Sequence, residues 1–177
     1  MTGVIMPIKE HDGPLTQYLN QLKVKYFGSD SIVLHRRELI SAKPPYESLA
    51  DETTREGFNA DLLDIVQKVR YKVISVVIDK MTLVDKYGLL NARDPYALAL
   101  EIIMQRYQYW MQDYGYSGDI LAEARGKKED GLTKQTYNEI YLGRGYTPLR
   151  DANRYFSSSQ IKLKTKKRIY RVSSLLT

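Results

Sequence analysis

The 177-residue chain has no cysteine, 43% apolar residues, 27% charged residues and a formal net charge of +6. That length suits one domain with a buried core better than two. The composition excludes a disulfide framework, a thiolate nucleophile and a cysteine-rich zinc site, and it is neither that of a disordered tail nor that of a membrane protein. The charge is uneven: from Tyr146 to Thr177 eight Lys or Arg face Asp151 alone, giving +7, so the rest of the chain sums to −1. A basic end of this kind can draw in phosphate backbones by counterion release, and it reads equally as a solvated terminal segment.

Thr2 to Met6 reads as a short buried strand. Asp12-Gly13-Pro14 signals a helix start, and Leu15, Tyr18, Leu19, Leu22 and Tyr26 follow at helical spacing until Gly28-Ser29-Asp30. Ser31 to His35 is a second candidate strand, and Ala42-Lys43-Pro44-Pro45 marks a loop, since paired prolines suit neither a helix interior nor a central strand. A helical pattern returns from Thr54 to Tyr71.

Val73 to Asp79 is the clearest strand, a β-branched and almost continuous apolar run of the kind buried on both faces. Asp94-Pro95 then opens a helix reaching about Tyr114, with Asp94 as N-cap and proline at the first position. Its apolar residues wrap most of the circumference, so its aromatic stripe reads as core, with Tyr107 and Tyr109 packed, and not as a base-stacking platform. Gly115 to Gly118 breaks the helix. Asp119 to Glu123 is a short strand, Arg125 to Gly131 a charged loop, and Leu132 to Tyr141 a helix. No apolar stretch reaches the roughly 18 residues that span a bilayer, and Met1 to Pro7 lacks a signal-type core, so the expectation is a cytoplasmic protein with no membrane partner.

Strands alternating with crossover-length helices predict an α/β fold with a mixed sheet flanked by helices. Two strands end in acids, Asp79 and Glu123. Ligands of open α/β sheets gather beyond the carboxyl ends of parallel strands, where acids can converge on a hard divalent cation such as Mg²⁺ or Mn²⁺. Asp79 reads equally as a strand-end turn with Lys80. His35 can face a site, touching phosphate or carrying a proton, or be a hydrogen-bonded strand-end histidine. Arg125, Lys127 and Lys128 can neutralise a substrate phosphate or form a solvated loop, and Glu129 and Asp130 can reach a metal or balance those lysines.

Leu34-His35-Arg36-Arg37-Glu38, Val77-Ile78-Asp79-Lys80, Tyr96 to Glu101 with Arg106-Tyr107, and above all Glu123-Ala124-Arg125-Gly126-Lys127-Lys128-Glu129-Asp130 resemble the domain of unknown function 3800 family over nearly the whole chain. The resemblance implies a ribonuclease H-like fold and a divalent-metal-dependent phosphodiesterase. Its catalytic set would include Glu123, Asp79 and His35, with Glu123 and Asp79 as ligands of Mg²⁺ or Mn²⁺ and Arg125 and Lys128 on substrate phosphate. The family carries an Asp-Glu-Ser-Gly motif on its first strand and a Gln-Leu-Ala-Asp motif near its C-terminus. Gly3-Val4-Ile5 resembles the family's second strand, so the first strand and its acids are absent, and the C-terminal motif is absent too.

One permitted coding of Arg168 to Thr177, read from its third base, spells Asn-Ile-Pro-Gly-Leu-Gln-Leu-Ala-Asp, the missing motif in a neighbouring frame. Residues 1–167 are therefore expected to form a single incomplete ribonuclease H-like domain, with a frameshifted tail over 168–177. The tail would then owe Arg168 and Arg171 to the shift. The implied protein is an inactive relative of metal-dependent phosphodiesterases. The alternative is a non-catalytic module for nucleic acid or protein, which the 15 tyrosines and the basic stretch Lys162 to Lys167 would suit. An exposed sheet edge would also favour homo-oligomers.

Overall fold

The structure, a computed structural model, describes residues 1–88, 94–146 and 148–164. Helix and strand are mixed, and the described residues divide into two compact units, one of residues 6–72 and one joining residues 1–5 to the described residues of 73–164. The stretch 168–177 lies outside the described residues, and so do Lys166 and Lys167.

The unit of residues 6–72 is helical. Helix α1 (Ile8–Glu10) runs through a widened turn at His11–Leu15 into α2 (Thr16–Phe27), followed by α3 (Arg36–Ile40) and α4 (Glu52–Lys68). Pro14 lies inside the widened turn, where its missing N–H and its ring disfavour the regular ladder. Gly28 ends α2 in the left-handed region at φ 73°, and Asp51 caps α4 by accepting from Thr54 N–H at 2.8 Å. Leu22, Tyr46, Leu49, Phe58 and Ile65 form the core. Phe27 meets Tyr46 edge-on at 5.2 Å and Tyr26 meets Phe58 at 5.3 Å, in the favoured geometry for ring pairs.

The predicted strand Ser31 to His35 is not a strand. Ile32 and Leu34 pack onto the helical core, and the Val33 carbonyl accepts from the Tyr46 hydroxyl. β-branched residues serve here as an extended cover, because helices and not a neighbouring strand supply the packing surface.

In the second unit β1 (Thr2–Ile5) and β2 (Lys72–Ser75) form a two-stranded sheet. Met1 and Val76 exchange hydrogen bonds in both directions at 2.8 Å, which only an antiparallel pair can do. The expectation of a long strand buried on both faces fails. β2 stops at Ser75, and exposure alternates along the run, with Val73 at 50% and Val77 at 93% while Ile74, Val76 and Ile78 are half-buried. A period of two means that only one face is covered. On β1, Gly3 and Ile5 face inward; a Cβ on Gly3 would stand 3.3 Å from Ile103.

Next come α5 (Lys80–Tyr87), α6 (Pro95–Tyr114), β3 (Leu121–Glu123), α7 (Lys127–Tyr141), α8 (Ala152–Tyr155) and β4 (Lys162–Lys164). β3 and β4 pair in parallel, so among the described residues the strands make two separate pairs, where the sequence predicts one mixed sheet. Helix α6 carries the core: Met104 and Met111 have no exposure, and Leu100, Tyr137, Ile140 and Phe156 surround them. Tyr107 packs against this cluster as expected, but Tyr109 is 50% exposed, because the core takes only one side of the helix. α7 starts within the predicted charged loop. Glu129 and Asp130 sit in its first turn, where they complement the helix dipole.

Candidate functional site

The turn after β3 gathers three of the residues singled out in the sequence. The parallel register sets Leu121 against Lys162, Ala122 against Leu163 and Glu123 against Lys164, and Ala124 N–H extends the ladder to the Lys164 carbonyl at 2.9 Å. Glu123 is thus the exposed last residue of a parallel strand. The chain then turns through Ala124 to Gly126 into α7. Gly126 has φ 135°, a backbone region that side chains avoid, and Arg125 N–H donates to Asp130 Oδ1 at 2.8 Å, closing the turn. Arg125 and Lys128 are exposed on this turn, beside Glu123 in sequence and at the helix start. Asp130 is therefore a turn-closing acid.

Asp79 occupies a different place. It is the N-cap of α5, a helix absent from the sequence-based expectation, and its carboxylate is already engaged. Oδ1 accepts the N–H groups of Met81 at 2.9 Å and Thr82 at 3.2 Å, and Oδ2 accepts the Thr82 hydroxyl at 3.0 Å. The Thr82 N–H and hydroxyl, followed by the Met81 N–H, hold its carboxyl below the ordinary aspartate range. His35 belongs to the unit of residues 6–72. It stands at the N-cap position of α3, where its carbonyl accepts from Glu38 and Leu39 N–H and its ring makes no capping bond. Among the described residues no group of three acids or histidines is placed to hold a metal ion.

The sequence reading missed an aromatic cluster at the C-terminal end of α6, ahead of β3 in the chain. The α6 C-terminus ends in Gly115 at φ 66°, with Gly115 N–H to the Gln112 carbonyl at 3.4 Å and Tyr116 N–H to the Met111 carbonyl at 2.9 Å. This double closure reverses the chain and brings Tyr116 back onto the helix. The Trp110 ring then lies 5.2 Å from Tyr114 and 5.5 Å from Tyr116, while Tyr114 and Tyr116 are 6.3 Å apart and within 10° of parallel. Tyr114 is 59% exposed and Tyr116 52%. The signal in the sequence is Tyr114-Gly115-Tyr116, aromatic residues on both sides of a helix-ending glycine.

No protein-family model matches the sequence, and no curated protein and no solved structure matches it either. Among the described residues no helix is long and apolar enough to cross a membrane.

Proposed function

We propose that the chain is a catalytically silent relative of divalent-metal-dependent, ribonuclease H-like phosphodiesterases. Glu123 keeps a metal ligand's position at a strand end, and Asp79 serves as a helix cap. The hydrogen bonding of Asp79 carries this reading. A carboxylate has about four lone-pair positions, and donors from α5 take three of them. Mg²⁺ or Mn²⁺ binds such oxygens directly and would have to compete with those bonds. The residues present therefore do not fit a divalent pair at Asp79.

The turn after β3 supports the ancestry. An acid at the carboxyl end of a parallel strand, followed at once by a helix, is where ligands of α/β sheets collect, and Arg125 and Lys128 on that turn would face a phosphate. In active relatives the counterpart of His35 would contact phosphate or carry a proton.

Incubating the purified chain with single-stranded DNA, duplex DNA and RNA in Mg²⁺ and in Mn²⁺ tests the reading. The expected result is no divalent-dependent cleavage. Cleavage that disappears in Glu123→Ala would overturn it.

A further inference from the structure

We infer that the exposed rings of Tyr114 and Tyr116, backed by the partly buried Trp110, form a stacking surface for single-stranded nucleic acid, with Arg150 and Arg154 supplying the phosphate contacts. This inference does not rest on the phosphodiesterase reading, since binding and cleavage are measured separately.

Exposed tyrosines scattered singly need no explanation, but three rings in mutual contact at the surface do. The helix-ending glycine accounts for Tyr116 folding back onto Trp110. Tyr114 joins the cluster from one turn further along α6, at i+4 from Trp110, with most of its surface in water. Trp110 is anchored from beneath. It packs on the core of the unit and lies 6.3 Å from Tyr107, which in turn meets Phe156 at 5.8 Å, so the cluster has a rigid base. Centroid spacings of 5.2–6.3 Å are those of rings touching one another, which leaves no opening between them for an ammonium ion. What the cluster offers is outward aromatic surface.

The charge beside it selects the occupant. Residues 150–157 run alongside this end of α6. Gln108 donates to the Arg150 carbonyl, Gly118 N–H to the Tyr155 carbonyl at 2.9 Å, and Ser157 N–H to the Gly118 carbonyl at 3.0 Å. Arg150, Arg154, Lys162 and Lys164 fall in residues 150–164 against Asp151 alone. Lys162 is taken up by Asp119, while Arg150 and Arg154 are exposed. On α6 itself exposed Arg106, one turn before Trp110, offsets Asp113. Aromatic surface bordered by cations suits a polyanion with unpaired bases, whose flat faces stack on rings without regard to sequence. A duplex keeps its base faces stacked on one another, out of reach of a protein ring.

Trp110 is the single tryptophan of the chain, so its fluorescence reports on this site alone. Oligothymidylate and oligouridylate of about ten nucleotides, titrated into the full chain at low salt, are expected to quench it saturably, with a duplex of the same length binding about tenfold more weakly or worse. Tyr114→Leu keeps the apolar bulk and should weaken binding about tenfold, whereas Tyr114→Phe keeps the ring and should stay within about threefold. Replacing Arg150 and Arg154 together by Ala should reduce the slope of log affinity against log salt by about 1.4, or roughly 0.7 for each phosphate no longer neutralised. Circular dichroism of each variant controls for folding. Absence of quenching would leave the surface to a protein partner and overturn the proposal. Equal binding of duplex, or Tyr114→Leu binding as tightly as Tyr114→Phe, would overturn it as well.

Discussion

The carboxylate of Asp79 holds Thr82 twice, through its N–H at 3.2 Å and its hydroxyl at 3.0 Å. This pair turns a strand-end acid into the start of α5 and separates two roles that the sequence leaves equal. Asparagine caps helices about as well as aspartate but is a poor ligand for a hard cation, whereas alanine can do neither. Asp79→Asn, which keeps a capping oxygen but not the charge, is therefore expected to lower the melting temperature less than Asp79→Ala, which should lower it by about 2–5 °C. Differential scanning calorimetry of the two variants checks this, and an equal loss in both would remove capping as the role of Asp79.

Three aspartates share a common electrostatic fate. Asp79 is held below its ordinary range by Thr82 and Met81, Asp51 by the N–H and hydroxyl of Thr54, and Asp61 by hydrogen bonds from Lys25 at 2.6 Å and Tyr26 at 2.8 Å. A carboxyl whose pKa is lower in the folded chain contributes its stability above the unfolded value, about 4, and loses it as pH falls through the folded value. These groups should leave the urea midpoint unchanged between about pH 7 and 5 and then pull it down below about pH 4. The parent should fall more steeply there than a variant with all three changed to Asn. Parallel curves would show that their hydrogen bonds do not set the acid limb.

The long helices were legible because periodicity and caps agree. Asp94-Pro95 opens α6 at its observed start, and Gly28 and Gly115 close their helices in the left-handed region. The strands were less legible, because apolar β-branched runs do not say what will cover them. Ser31 to His35 lies on helices, and Val77 faces water. β4 is hidden in the sequence, although Ile161, Lys162, Leu163 and Lys164 alternate with a period of two, because lysines in a basic stretch read first as charge. For the site, proximity in sequence placed Glu123, Arg125 and Lys128 on one turn, but only the hydrogen bonds of Asp79 show how its oxygens are used.

The two sides of α6 provide a direct check on where its core lies. Met104 is fully buried among the core of the second unit, whereas Tyr109 is half in water. Met104→Ala should cost about 2–5 kcal/mol in urea unfolding, from lost transfer energy and an unfilled cavity. Tyr109→Ala should cost less than about 0.5 kcal/mol, as surface changes do. Comparable losses at the two positions would mean that the buried side of the helix is wrongly assigned.

Gly118 is the most closely approached glycine among the described residues. It bridges to Phe156, and a Cβ there would stand 2.0 Å from the Tyr107 hydroxyl oxygen and 3.1 Å from the ring carbon that bears it. Tyr107 cannot simply swing away, because its ring is set between Phe156 and Trp110. Gly118→Ala is thus expected to destabilise the chain by about 1–3 kcal/mol, the usual cost of overpacking. Tyr107→Phe deletes the oxygen but keeps the ring, so Gly118→Ala should cost less in that background, with part of the loss remaining from the carbon contact. A double-mutant cycle by urea denaturation measures the coupling. Additive losses would mean that the hydroxyl is not what Gly118 makes room for, and an unchanged Trp110 emission in Gly118→Ala would mean that the ring stack absorbs no displacement.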